Sequence, residues 1–420
     1  MLAVNAAAKG GVLRFFLIYF LAASIVLSQE QSPPAARPGI FGEIDELLRE
    51  LEKITGLKSL RKVPSDTISK ENLKKFLEER IQEAVKPEEI RAEQIALQML
   101  GFVPAEFDLK KMTIDLLTEQ AAAFYDYKKK RLFLLDSNAS SLQRPILVHE
   151  LAHALADQHF DLEKYLLKGK SDDAALARMA VMEGQATWLM SEYVLSQLGA
   201  SLKRTPEMAE WMNRLSGSSG GLYPVFDSAP LYLRETLMFP YTKGVLFQNA
   251  VIAKMGDAGF AEVFRNPPAS SQQILHPQKY FDRERPVSVE PPQVKLRGYT
   301  RLIEGTFGEL DHEILFRQYG DEATPPLAER WRGGVYRILE NKKQNHRILL
   351  YASEWIDTRA AAAAFLTWRK AMQKKWRRFE VSTESSTELS GRCDWGIFRL
   401  QLFDRRVTSV EGLPERPRRN

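Results

Sequence analysis

The sequence predicts an α+β protein with a mostly helical core, a small sheet at the edge of that core, and a smaller α+β domain at the C-terminal end. Three observations predict this class. Apolar residues recur at helical spacing through most of 41–120. Two β-prone runs, 123–127 and 131–135, flank three consecutive lysines. Proline-rich stretches near residue 290 indicate a boundary, so we expect the core over 41–290 and the smaller domain over 295–420.

The first part of the core, 41–120, is predicted to be helical, with interruptions at Pro87 and Pro104. Leu47 and Leu51 lie on one face of a first helix, because residues four apart share a helix face. Ser69 is a favourable N-cap for a second helix, which continues through Ala84. A third helix is expected around 109–118.

The second part of the core, 121–290, is predicted to contain the hairpin and three long helices. Pro145 is tolerated in a first helical turn, and Ser171 is a suitable N-cap. The predicted helices cover 146–159, 172–198 and 241–255, and a Gly/Ser/Pro-rich loop covers 215–230. This loop is interpreted as a candidate lid.

The C-terminal region mixes helix and strand patterns, which is why we predict a separate α+β domain there. No motif in this domain indicates its role. The predicted elements are strands at 334–339, 347–352 and 395–403 and a helix over 359–375.

The overall charge excludes one class of function. The chain has 420 residues and a formal net charge of +5, but its 59 basic residues are interleaved with 54 acidic ones. A nucleic-acid-binding protein would gather the basic residues into a stripe, so we expect no nucleic-acid partner. The single cysteine, Cys393, excludes both an internal disulfide and a zinc site built from several thiolates.

The N-terminus has the pattern of a secretory signal peptide. Lys9 and Arg14 precede an apolar run over 15–27, which is short for a membrane span of ~20 residues. We therefore predict a signal peptide over 1–28, a linker over 29–40 and an exported protein, periplasmic or extracellular. The alternative is an uncleaved anchor formed by 15–27, which would be the one route to membrane association.

The segment His149-Glu150-Leu151-Ala152-His153 is the motif on which the functional interpretation depends. On an α-helix, residues four apart lie about 40° from one another around the axis, so the two imidazoles project together and can bind one metal ion. Glu150 lies about 100° round from His149, where it flanks the metal as a general base. This pattern predicts a Zn²⁺ site with catalytic function.

Two residues compete for the third ligand position. His159 follows His153 by six residues, but it can turn back to the metal only if the helix breaks, and Ala156 favours a continuous helix. Glu183 lies on the next predicted helix, in an apolar stretch where a solvated carboxylate is not expected. Two imidazoles and one carboxylate form a known catalytic zinc set. We therefore favour Glu183 and interpret His159 as a residue near the helix end.

Three blocks in order give the chain a resemblance to a known family. They are His149–His153, Glu183-Gly184-Gln185-Ala186 and Pro240-Tyr241-Thr242-Lys243-Gly244. The chain resembles the gluzincin metallopeptidases, especially their aminopeptidase-N-type branch, and is similar to exported bacterial proteins of that type. The resemblance covers about 121–265. The resemblance implies a gluzincin-like fold and hydrolysis of peptide bonds. It also implies that Tyr241 donates a hydrogen bond to the oxyanion of the reaction intermediate. The 121–135 hairpin would then supply the edge strand that pairs with the substrate.

The sequence departs from that branch in two ways. The interval between His153 and Glu183 is longer, and the Gly-x-Met-Glu-Asn segment that holds a free amine in aminopeptidases is not found. We therefore predict a zinc metallopeptidase with a peptide or protein substrate, without a choice between endo- and exopeptidase. Asp157, His159 and His276 are candidates for a supporting or substrate-side role. Alternatives are a non-catalytic cell-envelope binding protein on the same scaffold and a zinc hydrolase that acts on a non-peptide bond.

Overall fold

The computed structural model describes residues 23–25, 39–136, 143–169, 171–215, 223–320 and 325–415. The predicted α+β class is confirmed. The helices, numbered here in chain order, are α1 (Ile44–Thr55), α2 (Lys70–Ala84), α3 (Pro87–Leu100), α4 (Leu109–Gln120), α5 (Gln143–Phe160), α6 (Leu162–Leu167), α7 (Asp172–Gln197), α8 (Met208–Leu215), α9 (Pro224–Ser228), α10 (Leu231–Met255), α11 (Gly259–Arg265), α12 (Ser271–Leu275), α13 (Pro277–Phe281), α14 (Glu309–Tyr319) and α15 (Thr358–Lys375).

The strands form two sheets. The smaller sheet has the order β1-β3-β4-β2, and the larger sheet has the order β5-β6-β7-β11-β10-β9-β8 with antiparallel neighbours throughout. The strands are β1 (Ala23–Ile25), β2 (Ser65–Ile68), β3 (Ala121–Asp126), β4 (Arg131–Leu135), β5 (Thr300–Thr306), β6 (Trp331–Asn341), β7 (His346–Trp355), β8 (Phe379–Glu384), β9 (Glu388–Cys393), β10 (Gly396–Phe403) and β11 (Arg406–Leu413).

The predicted hairpin is confirmed and lies beside the helix that carries the histidine motif. β3 and β4 pair antiparallel, and the turn between them has Lys130 at φ 52°. The Asp126 carboxylate accepts the backbone N–H groups of Lys128 and Lys129 at 2.9 and 3.0 Å, which stabilises this turn. All six residues of β3 are buried. The hairpin therefore gives the helical core its small sheet.

One part of the N-terminal prediction is wrong. The region 41–120 is not helical throughout, because β2 (Ser65–Ile68) interrupts it and pairs in parallel with β4. A four-residue strand that is stabilised by a distant partner leaves little local periodicity in the sequence. The predicted cap is confirmed, since Ser69 Oγ accepts the backbone N–H of Asn72.

The last predicted helix of the core begins ten residues earlier than expected. α10 starts at Leu231, and Pro240 lies inside it instead of preceding it. Proline removes one helical hydrogen bond, but burial of apolar residues on both sides of it, such as Leu237 and Val245, stabilises a continuous helix. The predicted 215–230 loop contains the short helix α9, and its Ser216–Gly221 part lies outside the described residues.

The C-terminal predictions fall inside observed elements but cover less than half of the sheet. The predicted strands belong to β6, β7 and β10, and the predicted helix is α15. The sequence did not indicate β5, β8, β9, β11 or α14. Buried residues from both sides of position 290 belong to one hydrophobic cluster, which runs from Ile44 to Val407. The division at 290 stays a prediction.

The N-terminal predictions lie almost entirely outside the described residues. Of the predicted signal peptide, the structure describes the backbone of Ala23–Ile25, which pairs antiparallel with β3. In the part of the chain that is described, no helix combines the length and apolar character that a bilayer crossing requires. The signal peptide and the linker stay predictions.

Candidate metal centre

Helix α5 brings the two histidines of the motif onto one face. Every residue from Ile146 to Asp157 is buried, as expected for a helix that is apolar around most of its circumference. The His149 and His153 rings lie 4.7 Å apart between centroids and meet nearly edge to face, at 81°. Both side chains are about 1% exposed. Two imidazoles with so little solvent contact require a partner inside the protein.

Helix α7 supplies that partner. Ser171 caps this helix by accepting the Ala174 N–H, as predicted, and Glu183 lies near its middle with no exposed surface. Glu183 Oε2 lies 3.1 Å from His149 Nε2 and 3.3 Å from His153 Nε2. The predicted choice of Glu183 as the third member is thus matched by the position of its carboxylate.

The donor set passes a geometric test for a metal ion. Ligand atoms of the three residues all lie within 4.8 Å of one another. Zinc holds such atoms at about 2.0–2.1 Å in a tetrahedron, which separates any two of them by roughly 3.3–3.4 Å. The two observed contacts are close to that separation. His149 Nδ1 and Glu183 Oε1 are also buried and have no hydrogen-bond partner among the described residues.

Burial governs the protonation of this cluster. It lowers the pKa of His153 to about 3 and also lowers the pKa of His149, although the Glu183 hydrogen bond opposes the shift at His149. Burial raises the pKa of Glu183 to about 7, against the hydrogen bonds from His149 and Tyr241. The imidazoles are therefore neutral, which is the form that ligates metal, and the buried carboxylate gains from any added positive charge.

Tyr241 is the fourth side chain of the cluster. Its ring lies 6.1 Å from the His149 ring at an interplanar angle of 21°, and its hydroxyl hydrogen-bonds the Glu183 carboxylate. Burial raises the pKa of Tyr241 well above its usual value, and the charges of Glu183 and Glu150 raise it further. Tyr241 is thus a neutral donor that borders both carboxylates.

A glycine contact sets the position of Tyr241. A β-carbon added at Gly184 would lie 2.2 Å from the carbonyl carbon of Gly244, and one added at Gly244 would lie 2.3 Å from the Ala180 oxygen. Helices α7 and α10 therefore touch through their backbones at this point. The sequence did not indicate this contact between Gly184 and Gly244.

Glu150 lies beside the ligands without belonging to their set. It follows His149 directly, has no exposed surface, and is close enough to Tyr241 to raise the pKa of its hydroxyl. The role of Glu150 as a base that flanks the metal position stays a prediction.

Asp157, one turn beyond His153, connects the β3–β4 hairpin to helix α5 through hydrogen bonds. Its carboxylate accepts hydrogen bonds from Tyr125 Oη at 2.9 Å, Lys130 Nζ at 2.8 Å and Arg61 Nη2 at 3.3 Å. It also accepts the Leu162 N–H at 3.1 Å. Asp157 thus supports the site by positioning β3 and β4 against α5. Its partners come from distant segments, so no local pattern indicated this role.

The remaining two candidates lie elsewhere. Helix α5 continues to Phe160, so His159 turns away from the ligands and its Nε2 lies 2.7 Å from the Lys58 carbonyl oxygen. His276 lies 2.6 Å from Glu309 Oε1, and this hydrogen bond raises the pKa of its imidazole. The structure brings neither histidine to the cluster of His149, His153 and Glu183.

Comparisons with known proteins found no matching family model, no matching curated protein and no matching solved structure. The interpretation of this site therefore depends on its residues and their geometry.

Proposed function

We propose that the chain is an exported zinc-dependent metallopeptidase in which His149, His153 and Glu183 hold the metal. The observation that carries this proposal is the position of Glu183 Oε2, 3.1 and 3.3 Å from the two Nε2 atoms. Neutral imidazoles and one carboxylate suit zinc and leave a coordination position for water. A site with a structural metal alone has no need of a carboxylate such as Glu150 beside the ligands.

When bound, the zinc ion supplies Lewis-acid polarisation and activation of water. Glu150 takes the proton of the attacking water and passes it to the leaving amine. Tyr241 donates its hydroxyl proton in a hydrogen bond to the carbonyl oxygen on which negative charge develops. The surrounding apolar helices exclude water, which strengthens each of these electrostatic interactions.

The small sheet supports a peptide as the substrate class. The outer edge of β3 is paired with β1, Ala23 with Phe124 and Ile25 with Ala121. Because β1 belongs to the proposed signal peptide, its removal would free this edge for another extended strand. β3 also packs against helix α5, which carries the ligands. An extended peptide can add to a sheet edge through the same backbone hydrogen bonds. The proposed substrate is therefore a peptide or protein segment in extended form.

Glu150→Gln separates hydrolysis from metal binding. We expect this isosteric variant to retain zinc and to lose at least about 10²-fold in the rate of cleavage of a peptide library, because the general base is gone. His159→Gln is the matched control on the same helix and is expected to retain both zinc and activity. Full activity of Glu150→Gln would contradict the peptidase assignment, and zinc binding without cleavage by the wild type would favour the non-catalytic alternative.

A further inference from the structure

A second cavity, distinct from the metal centre, lies between the helical core and the larger sheet. Its volume is about 790 Å³, and its walls come from α7, α10, α11, the 266–289 segment, β5 and β6. That volume is within the range of about 300–1,000 Å³ of small-molecule sites, which often lie where two layers of a protein meet. None of His149, Glu150, His153, Glu183 and Tyr241 lines it.

Six basic side chains converge on this cavity, and none of them has an ion-pair partner among the described residues. Elsewhere in the molecule, basic side chains are commonly paired with acids, for example Arg91 with Glu340 and Arg80 with Asp126. The six residues are Lys168, Arg178, Lys254, Arg265, Arg283 and Arg285.

Four acidic residues also line the cavity wall, Asp172, Asp173, Glu262 and Glu304. Asp172 accepts the Thr306 N–H at 3.0 Å, and Glu304 pairs with Arg337 at 2.6 Å. Glu262 accepts a hydrogen bond from the Asn266 side chain at 2.9 Å. The six basic side chains outnumber these four acids, and Glu304 is balanced by Arg337 outside the lining, so the field inside the cavity is net positive.

Arg178 is the basic residue placed deepest in the wall. Its side chain is half-buried, its Nη1 donates to the Tyr165 carbonyl oxygen at 3.0 Å, and its guanidinium lies 4.8 Å from the centre of the Tyr165 ring. Burial lowers its pKa. A guanidinium has five N–H donors, and this backbone contact uses one of its nitrogens. The remaining donors suit an anionic group in a fork-like arrangement.

We propose that this cavity binds a small molecule with at least two anionic groups, such as a bisphosphate. Six cations on one cavity wall exceed what a single acidic group can contact, which favours a ligand with two acidic groups. Pro267, Pro268 and Phe281 also line the wall and offer an apolar surface for the body of the ligand. This inference is independent of the metal centre and of the proposed peptidase activity.

Titration calorimetry of the full chain with fructose 1,6-bisphosphate tests the proposal, in buffer freed of metal ions on a chelating resin so that no metal ion mediates binding. Glucose serves as the uncharged comparison. We expect saturable binding with a dissociation constant below about 1 mM. Because the contacts are ionic, binding should weaken steeply as the salt concentration rises from about 50 to about 500 mM. Glucose is expected to give no binding.

Single substitutions place the binding in the cavity. Arg265→Gln and Arg285→Gln change exposed side chains and are expected to fold normally, while each raises the dissociation constant about tenfold through the loss of one charge-assisted contact. Arg178→Gln is expected to have the larger effect. Arg359→Gln, an exposed arginine of α15 outside the cavity, is the matched control and should leave binding unchanged. Absence of saturable binding, or equal weakening by Arg359→Gln, would overturn the proposal.

Discussion

Gly184 and Gly244 touch through their backbones, so that a β-carbon on the first would lie 2.2 Å from the carbonyl carbon of the second. Each glycine is close in sequence to a residue of the metal centre, Gly184 next to Glu183 and Gly244 three residues after Tyr241. The spacing of helices α7 and α10 therefore fixes the distance between the third ligand and the phenol that hydrogen-bonds it.

Gly184→Ala is expected to destabilise the protein and to weaken metal binding together. The added methyl group cannot be accommodated without moving two helix backbones apart, and overpacking of this kind lowers the free energy of unfolding by about 1–3 kcal/mol or more. Urea unfolding and zinc titration measure the two effects. Gly42→Ala is the control, because a β-carbon there meets nothing within 4 Å. A Gly184→Ala variant as stable as Gly42→Ala would contradict the close contact.

Tyr241→Phe is expected to retain zinc while kcat falls by about 10²–10³-fold, as is typical when one oxyanion donor is removed. KM should change little, since the hydroxyl acts on charge that develops in the transition state. Steady-state kinetics on a cleaved peptide, with zinc content measured on the same sample, separate the two parameters. A change confined to KM would show that the phenol binds substrate and does not stabilise the transition state.

Asp157→Asn is expected to lower the free energy of unfolding by about 1–3 kcal/mol, because it removes the charged acceptor of the buried Tyr125 hydroxyl and of the partly exposed Lys130 and Arg61. Lys130→Met, which removes one partner whose side chain is 37% exposed, should cost less. Chemical denaturation of both variants and of the double variant gives the coupling energy. Additive effects in the double variant would mean that Lys130 and Asp157 do not interact across the hairpin.

Stability is expected to fall as the pH drops from about 6.5 towards about 4, in part because of His312. Its Nδ1–H donates to the Gly308 carbonyl oxygen and its Nε2 accepts from the Tyr351 hydroxyl, both at 2.7 Å, and burial lowers its pKa to about 4. The unfolded chain therefore binds this proton at a higher pH than the folded chain does, and acid favours unfolding. Above the pKa of His312 in the unfolded chain, about 6.5, this loss of stability does not occur.

His312→Gln isolates this contribution. The variant removes the titrating group, so its urea midpoint should depend less on pH between about 6.5 and 4 than that of the wild type, even if it is less stable at pH 7. His149 and His153 contribute equally to the pH dependence of both proteins, so their contribution cancels when the two are compared. Identical slopes in the two proteins would exclude His312 as the source.

The features that were predictable from the sequence are those fixed by residues close together in the chain. The pair His149 and His153 follows from helical spacing, and the Ser69 and Ser171 caps follow from local chemistry. By contrast, β2 and the outer strands of the larger sheet depend on partners far away in the sequence. The early start of α10 was missed because Pro240 is tolerated only through burial on both of its sides.

The candidate site shows the same division. Glu183 was recognisable because a carboxylate in an apolar stretch needs a partner, whereas Tyr241 required a resemblance to a known family. The contact between Gly184 and Gly244 and the role of Asp157 arise from packing between segments that no local pattern connects. The cavity around Arg178 is likewise a product of the tertiary structure, since its basic residues are spread over 168–285.

Metal analysis of the purified protein tests the central claim most directly. We expect about one zinc ion per chain in the wild type and its loss in Glu183→Ala, because two imidazoles alone bind zinc far more weakly than the complete set of three ligands. His159→Gln, measured beside them, should retain the metal. Zinc bound equally by wild type and Glu183→Ala, or no zinc in the wild type after exposure to the ion, would contradict it.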